Sequence, residues 1–373
     1  MTSFRRILCL LLCGLLFAAC CGCGVKKVKV SSVTSGAAEQ READSCKVSL
    51  SYEETLRMSN FMLAGRFIHE KKLLYGSKHD AGGQPYLCRM KYTAGQSGMY
   101  VRETEVLEEA VDAQYLALDG SWLFYLRETL PEGKTAICRI PSAAGAAAEP
   151  EVLYNASCDF LSLRNGRLYF TDAENHLLSM KEDGTDLKTE LADKAVFYPY
   201  LLTDDLLLFQ DDADGESLHM RWLPTGFELR ISKGRVFSYI VKGSELYFLR
   251  SDKSEGEKCR LCRTDLNDFL SGFDPQGRPD AAFSFTIEEA DAYMGPVFSI
   301  NQEHINASNF RTESLNNWKA LSDNAWENGF LGACQYVAGE YEIFYNYNSE
   351  GLITGTLFYE PELKRSGYIE IPG

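Results

Sequence analysis

The sequence is poor in basic residues: 38 Lys and Arg stand against 53 Asp and Glu, which gives a formal net charge of −15. A chain with this balance has no general affinity for nucleic acid or anionic lipid head groups, because both are negatively charged. We therefore expect no nucleic-acid partner. Metal cations, cationic ligands and neutral partners stay compatible with the charge.

The sequence also lacks the motifs of common catalytic sites. It contains no HExxH pair, no GxSxG elbow, no Walker loop and no dinucleotide fingerprint. Its five histidines are scattered, and we interpret His219 as a core or interface residue. The acidic turn from Asp211 to Glu216 would need Gln210 and Arg221 as calcium ligands in an EF-hand register, so a hairpin tip is the better interpretation. We predict no catalytic residue, no metal site and no cofactor.

No apolar run is long enough to span a membrane. The longest at the N-terminus, from Ile7 to Phe17, falls short of the roughly 20 residues that a spanning helix needs. It follows Arg5 and Arg6 and precedes Ala18-Ala19-Cys20, which is the pattern of a secretory signal. The ending resembles that of a bacterial lipoprotein signal, and the resemblance implies that Cys20 is diacylated after cleavage. We therefore expect a protein anchored by lipid to the cell membrane and exposed outside the cytoplasm.

The cysteine count argues against a complete disulfide framework. Of twelve cysteines, five lie in or just after the signal, and an odd number, seven, remain in the exported part. Cys259 and Cys262 have CxxC spacing, but no second pair or nearby histidine completes a metal site. We predict that Cys88, Cys138 and Cys262 are buried single thiols.

Three segments follow from composition. Residues 1–19 form the signal peptide, and residues 20–45, which lack aromatics and sustained apolar periodicity, are predicted to be a flexible tether. Extended, such a tether would reach about 85 Å. Residues 46–373 contain the globular part.

A short unit recurs through the globular part: an apolar strand, a tight polar turn, a strand ending in aromatics, a loop and a third strand. Asn165-Gly166 and Asp119-Gly120 are strong hairpin signals, because a type I′ turn needs positive φ at both central residues. Further copies turn at Asp204-Asp205 and Lys242-Gly243. A period near 40 residues with four strands per unit is typical of a β-propeller. We predict an all-β fold, a single propeller of seven four-stranded blades, with six blades as the alternative.

One unit also resembles a known repeat. Leu168-Tyr169-Phe170-Thr171-Asp172, followed by a third strand from Leu178, is similar to the YWTD repeat of low-density lipoprotein receptor propellers. The chain also resembles bacterial lipoproteins of unknown function that contain a propeller of that type. The resemblance implies a propeller fold and a protein-binding function, and it implies no catalytic residues.

The segment from Asn301 to Gly329 breaks the repeat and gathers asparagines and two tryptophans. Tryptophan and asparagine together suit a carbohydrate or peptide site, so the candidate ligand-binding residues are Trp318, Trp326, Asn316 and Asn317. The alternative is a short helical insertion near residues 312–327, with Leu315, Trp318 and Leu321 on one face.

These observations favour a lipid-anchored propeller that acts at the cell surface as a binding or protein-interaction module. Its expected partners are the membrane, through Cys20, and an envelope protein, peptide or glycan; we expect a monomer. The alternative is an extracellular polysaccharide hydrolase or lyase with its site in the central channel.

Overall fold

The structure is a computed structural model. It describes residues 26–33, 47–70, 73–80, 83–95, 98–129, 132–143, 148–251, 259–271, 282–292, 298–301, 304–307, 310–312, 320–321, 334–338, 341–347, 353–360 and 365–370. The predicted lipidation residue Cys20 and the four candidate ligand-binding residues Trp318, Trp326, Asn316 and Asn317 lie outside these ranges.

The described strands form seven antiparallel sheets, and in most of them the strands follow chain order. Sheets 1 to 4 contain β2 (Phe67–Glu70), β3 (Leu73–His79), β4 (Pro85–Gly95) and β5 (Gly98–Glu109); β6 (Val111–Asp119), β7 (Trp122–Thr129), β8 (Lys134–Pro141) and β9 (Glu151–Tyr154); β10 (Cys158–Arg164), β11 (Arg167–Asp172), β12 (Leu177–Lys181) and β13 (Lys188–Leu191); and β14 (Val196–Leu201), β15 (Leu206–Asp211), β16 (Ser217–Trp222) and β17 (Phe227–Arg230).

The remaining three sheets come from the second half of the chain, together with the first strand. Sheets 5 to 7 contain β18 (Arg235–Lys242), β19 (Glu245–Ser251), β20 (Cys259–Asp265), β21 (Ala282–Ala292) and β1 (Lys26–Val33); β22 (Phe298–Asn301), β23 (His304–Ala307), β24 (Phe310–Thr312) and β25 (Ala320–Leu321); and β26 (Cys334–Ala338), β27 (Tyr341–Tyr347), β28 (Ile353–Glu360) and β29 (Arg365–Glu370). Helices are α1 (Tyr52–Met62) and α2 (Leu266–Ser271), with a 3-10 turn at Asp212–Asp214.

The sheets succeed one another around a ring. First strands of successive sheets contact each other from β2 to β14, and again from β18 through β26 back to β2. The last sheet also contacts the first through β29 and β5. The architecture is an all-β propeller, as predicted from the repeat. The count of seven blades stays a prediction.

The predicted hairpins lie where the sequence places them. Asn165 and Gly166 have φ of +48° and +73°, so both central residues of the β10–β11 turn take the left-handed conformation that Asn and Gly tolerate. The strand that follows the turn, β11, buries Leu168 and Phe170 completely. The end of the ring where the turns between first and second strands lie is called the turn end below, and the opposite end, where first strands begin, is called the mouth.

Residues 26–33, which the sequence analysis predicts to be part of a flexible tether, form the strand β1. It pairs antiparallel with β21 over eight residues, from Lys26 opposite Glu289 to Val33 opposite Ala282, and so becomes the fifth strand of sheet 5. The stretch Lys27-Val28-Lys29-Val30-Ser31 alternates polar and apolar residues, which suits a β-strand at the edge of a sheet. The prediction of an irregular tether is therefore wrong over residues 26–33.

Where the sequence predicts a helical insertion, near residues 312–327, the described residues 312, 320 and 321 lie in β-strands. Thr312 pairs with Ala320, and Arg311 pairs with Leu321. Because Leu321 belongs to β25, it cannot share a helical face with Leu315 and Trp318 in a continuous helix; cross-strand pairing prevails over a weak 3.6-residue period. Among the described residues, no helix is long and apolar enough to cross a membrane.

Candidate functional site

Helix α1 lies in the central channel of the propeller. Its sequence gives it a well-formed start: Ser51 caps the helix by accepting from the backbone N–H of Glu54, and the Glu54 carboxylate accepts in return from the backbone N–H of Ser51. The helix contacts the first strands β18, β22 and β26, and Phe61 packs its ring against Tyr115 of β6 and Tyr200 of β14. A helix that touches the first strands of five sheets occupies the place where those strands converge.

The buried face of α1 is apolar, and specific contacts fix its depth. Met58, Phe61 and Met62 are at most 6 % exposed. The backbone N–H of Val241 points to the Met58 sulfur at 3.3 Å, and the Tyr200 hydroxyl donates to the Glu54 carbonyl at 3.3 Å. These contacts join the helix to β18 and β14.

The chain before α1 is fixed at the turn end. Leu50 forms a backbone bridge with Gly243 in the β18–β19 turn. The backbone of Val48 makes two hydrogen bonds of 3.0 Å with the Asn267 side-chain amide. The helix therefore enters the channel from the turn end.

The chain after α1 approaches the β6 backbone closely. The Ala64 and Gly65 carbonyls accept from the backbone N–H groups of Tyr115 and Leu116 at 2.7 and 2.9 Å. Gly65 has φ of +50°, and a Cβ there would lie 2.9 Å from the Tyr115 Cα, so the position requires glycine. This exit leads the chain from the channel into the first sheet.

An aromatic collar, defined as Tyr115, Phe160 and Tyr198, narrows the channel beyond the helix. Each residue sits at a break of register in a first strand and has a positive φ, +52°, +56° and +48° respectively. The ring centroids of Tyr115 and Phe160 are 6.0 Å apart, and those of Phe160 and Tyr198 are 4.6 Å apart. Left-handed backbone is costly for large residues, so the surrounding packing must hold these bulges in place.

The collar could have been found in the sequence as a further aromatic column. Its members are separated by 45 and 38 residues, close to the period of the repeat. The column was missed because the aromatic ends of the second strands carry the stronger pattern. Each bulge also shifts the strand alternation by one residue.

On the mouth side of the collar stands the exposed residue Asp159. Its carboxylate accepts from the Phe160 backbone N–H at 2.8 Å and from the Tyr115 hydroxyl. Desolvation by the surrounding protein raises the pKa of the Asp159 carboxyl above its usual value. The two hydrogen bonds lower this pKa in part, and the nearby negative charge of Glu128 raises it further. Burial raises the pKa of Tyr198, as do the charges of Asp159 and Glu216. The mouth therefore combines carboxylates with phenol rings.

A partly buried ion pair lies at the same end. Arg66 holds Asp112 with two hydrogen bonds, of 3.2 and 2.5 Å, and Ser77 donates to the same carboxylate at 3.0 Å. Gln114 bridges Asp112 and Glu128 with its side-chain amide, at 3.1 and 3.2 Å. The ion pair links the starts of β2 and β6 at the mouth.

A second polar cluster surrounds His219, which the sequence analysis interprets as a core or interface residue. Its Nε2 lies 2.8 Å from the Ser217 hydroxyl, and its Nδ1 lies 2.9 Å from a Glu228 carboxylate oxygen. The order resembles a nucleophile, base and orienting acid. Ser217 is completely buried and also donates to Asp214 at 2.8 Å, so the hydroxyl faces protein and not solvent. The cluster is part of the packing of sheet 4.

The acidic turn from Asp211 to Glu216 is occupied by protein cations. Lys194 pairs with Asp211 at 3.2 Å, Arg230 pairs with Asp214 at 2.9 Å, and Arg235 pairs with Glu216 at 2.5 Å. These pairs agree with a structural hairpin tip.

One further group has metal-ligating types close together. Asp172, Glu174 and His176 place one donor atom each within 4.8 Å of one another. Asp172 already accepts from the backbone N–H groups of Glu174 and His176 and pairs with the His176 ring at 3.1 Å. These hydrogen bonds stabilise the turn between β11 and β12, so the turn accounts for the grouping of the three residues.

Four cysteines of the described part are buried thiols. Cys88, Cys138, Cys158 and Cys262 are free, and burial raises the pKa of the first three to about 12. Cys88, Cys138 and Cys262 lie on third strands, as the column alignment predicts. A thiol with so high a pKa is mostly protonated at neutral pH and therefore a poor nucleophile.

Comparison with known proteins supports the fold and nothing finer. No protein-family model and no curated protein matches the chain. A prolyl endopeptidase structure superposes with a TM-score of 0.52 at 13 % identity, over 85 % of this chain and 50 % of that one. BamB from Moraxella catarrhalis gives 0.43 at 12 % identity, over 82 % and 83 % of the two chains. The computationally designed Ika8 protein gives 0.44 at 9 % identity, over 82 % and 85 %. The similarity to the prolyl endopeptidase structure agrees with the all-β architecture that the seven sheets show.

Proposed function

We propose that this protein is a lipid-anchored propeller outside the cytoplasm that binds a partner protein at its mouth. Cys20 carries the anchor, and the resemblance to the YWTD propellers of receptor ectodomains supports a protein-binding role. The partner is an envelope protein or an exposed peptide of one.

The position of α1 carries this proposal. The helix enters from the turn end and packs Phe61 against two first strands, so protein already fills that part of the channel. The mouth is the end where charged and phenolic groups remain around an exposed carboxylate. A polysaccharide hydrolase working inside the channel would require the helix to leave, which would expose Met58, Phe61 and Met62 to water.

The chemistry of the mouth favours a basic partner. Asp159 lies near the phenols of Tyr115 and Tyr198, and Glu128 lies near Asp159. Carboxylates attract the side chains of Lys and Arg, and aromatic faces bind the same cations. Because the whole chain is strongly negative, this attraction extends beyond the contacts themselves.

Binding at the mouth is tested with the intact lipoprotein in its own envelope. A double variant, Asp159→Asn with Glu128→Gln, removes two charges at the mouth. A matched control, Asp183→Asn with Asp204→Asn, removes two charges at the turn end, where both residues follow strands that end there. We expect crosslinked partner to be lost with the first variant, at least tenfold, and retained with the second. Equal capture by both variants, or loss only with the control, contradicts the proposal.

Anchoring is tested separately. Cys20→Ala should release the protein from the membrane fraction or leave the precursor uncleaved, because stable anchoring needs the acyl chains. A variant that fractionates and migrates like the unaltered protein would refute the anchor and leave the mouth to be tested on its own.

The segment with Trp318, Trp326, Asn316 and Asn317 stays a second proposed contact region. If a tryptophan there lines a site, its fluorescence should change with surface glycans or peptides, and Trp318→Ala or Trp326→Ala should abolish the change. A loss of folding stability without any such response would assign the segment to the scaffold.

A further inference from the structure

The position of β1 determines how far the proposed anchor can reach. Six Cα–Cα intervals separate Cys20 from Lys26, the first residue of β1. At about 3.5 Å each, they span at most about 21 Å. A free chain from Cys20 to Lys47 would span about 95 Å when extended.

The direction of β1 determines which end of the propeller is near that anchor. Arg235, Ser251, Cys259 and Ala292 align across sheet 5 at the mouth end. Lys26 lies opposite Glu289, three residues from Ala292, and Val33 lies opposite Ala282 at the other end. The chain therefore comes onto the outer rim of sheet 5 from the mouth side. It leaves toward the turn end, where Leu50 meets Gly243.

The charge of the same segment suits a lipid surface. Lys26, Lys27 and Lys29 fall among the first four residues of β1, in a chain whose net charge is −15. Lysines next to a lipid anchor are attracted to anionic head groups, whereas the acidic body of the propeller is repelled. The rim at Lys26 is therefore the part of sheet 5 that best tolerates the bilayer.

We propose that β1 shortens the lipid anchor and seats the mouth end of the sheet-5 rim at the bilayer surface. This inference rests on the proposed lipidation of Cys20. It also specifies the partner class: a protein bound at the mouth must be embedded in that membrane or lie directly on it. A partner free in the surrounding medium would reach the mouth only past the lipid.

Energy transfer from the protein to the membrane tests the arrangement. A fluorescent non-natural amino acid replaces Lys233, exposed just before β18 at the mouth end, or Leu187, 52 % exposed at the turn end of sheet 3. The full lipoprotein is incorporated into phosphatidylethanolamine–phosphatidylglycerol vesicles that carry an acceptor lipid. We expect transfer from position 233 to exceed transfer from position 187 by at least threefold.

Two variants separate β1 docking from anchoring. Val28→Pro with Lys29→Pro removes two consecutive backbone donors, which point to opposite edges of the strand, so one ladder hydrogen bond to β21 is lost whichever of the two residues donates it. The strand β1 should then detach, and the two positions should transfer equally and weakly. Lys29→Cys with Thr286→Cys joins residues that the register places opposite each other, and the locked strand should keep the unaltered ratio. Equal transfer from both positions in the unaltered, membrane-bound protein overturns the inference. Loss of membrane binding itself would refute the anchor instead.

Discussion

The rings of Phe61 and Tyr115 lie with centroids 5.4 Å apart, and they join the central helix to a strained bulge of the second sheet. Phe61 is 6 % exposed, and its ring also packs on Tyr200 at 5.6 Å. One side chain of α1 thus bridges β6 and β14, two strands that belong to different sheets. The helix is therefore part of the core and holds the first strands at their distance from the axis.

Phe61→Ala should lower the free energy of unfolding by about 3–5 kcal/mol, because it leaves a cavity among rings that cannot collapse into it. Chemical denaturation followed by circular dichroism measures the change. Arg57→Ala, on the exposed face of the same helix, is the control and should change stability by no more than about 0.5 kcal/mol. Similar values for the two variants would mean that α1 is not anchored in the channel.

Acid should weaken sheet 4 through Glu228. Burial alone would raise the pKa of Glu228, but hydrogen bonds from His219 and Lys194 outweigh it and lower the pKa to about 2 from 4.5. This stabilisation is present above pH 4.5 and is lost as the pH falls from 4.5 to 2, with a size of about 3 kcal/mol. Glu228→Gln should abolish this pH dependence and destabilise the protein at pH 7.

The matched control for Glu228 is a paired carboxylate that water reaches. Glu151 pairs with Arg139 at 2.8 Å and has a side chain that is 50 % exposed. Glu151→Gln should change the free energy of unfolding by less than about 1 kcal/mol. An equally large effect there would show that the acid sensitivity is not specific to the buried cluster.

The thiols of Cys88, Cys138, Cys158 and Cys262 should resist alkylation in the native state and react on denaturation, because burial keeps them protonated and out of reach. Mass spectrometry of each peptide after iodoacetamide, with and without denaturant, measures the protection. A Cys259–Cys262 disulfide in high yield would contradict the prediction and restore a redox role for the pair.

Lys78→Met should stabilise the protein at pH 7 by about 1–4 kcal/mol. Lys78 is 1 % exposed, its Nζ has no hydrogen-bond partner among the residues that the structure describes, and burial lowers its pKa below 10.5. The unfolded chain then binds the proton more tightly, so stability should rise with pH toward 10.5 in the unaltered protein and not in the variant. Lys91→Met, with 61 % of its side chain exposed, is the control. A destabilised Lys78→Met would mean that the ammonium group is satisfied.

Local patterns predicted the fold well because a hairpin turn and its two strands are specified within about ten residues. Asn165-Gly166 dictated a left-handed turn, and Leu168 and Phe170 alternate with polar neighbours onto a buried face. Repetition of that unit indicated a propeller without any long-range information. The small residues of the third strands, Cys88, Cys138 and Cys262, could likewise be placed by their column.

Two features depended on contacts between distant segments, and the sequence did not reveal them. The strand Lys26–Val33 has the composition of a polar linker. Its hydrogen-bond partners lie 249 to 263 residues away in the chain, from Val33↔Ala282 to Lys26↔Glu289, so no local pattern predicts the pairing. Helix α1 carries a capping box and an apolar face, but nothing local says that this face meets Tyr115 and Tyr200. The sequence by itself determined the hairpins, their repetition and the acidic charge, since each follows from residues close together in the chain. Only the tertiary structure decided that α1 lies in the channel and from which end it enters, because ring closure brings together first strands that are far apart in sequence.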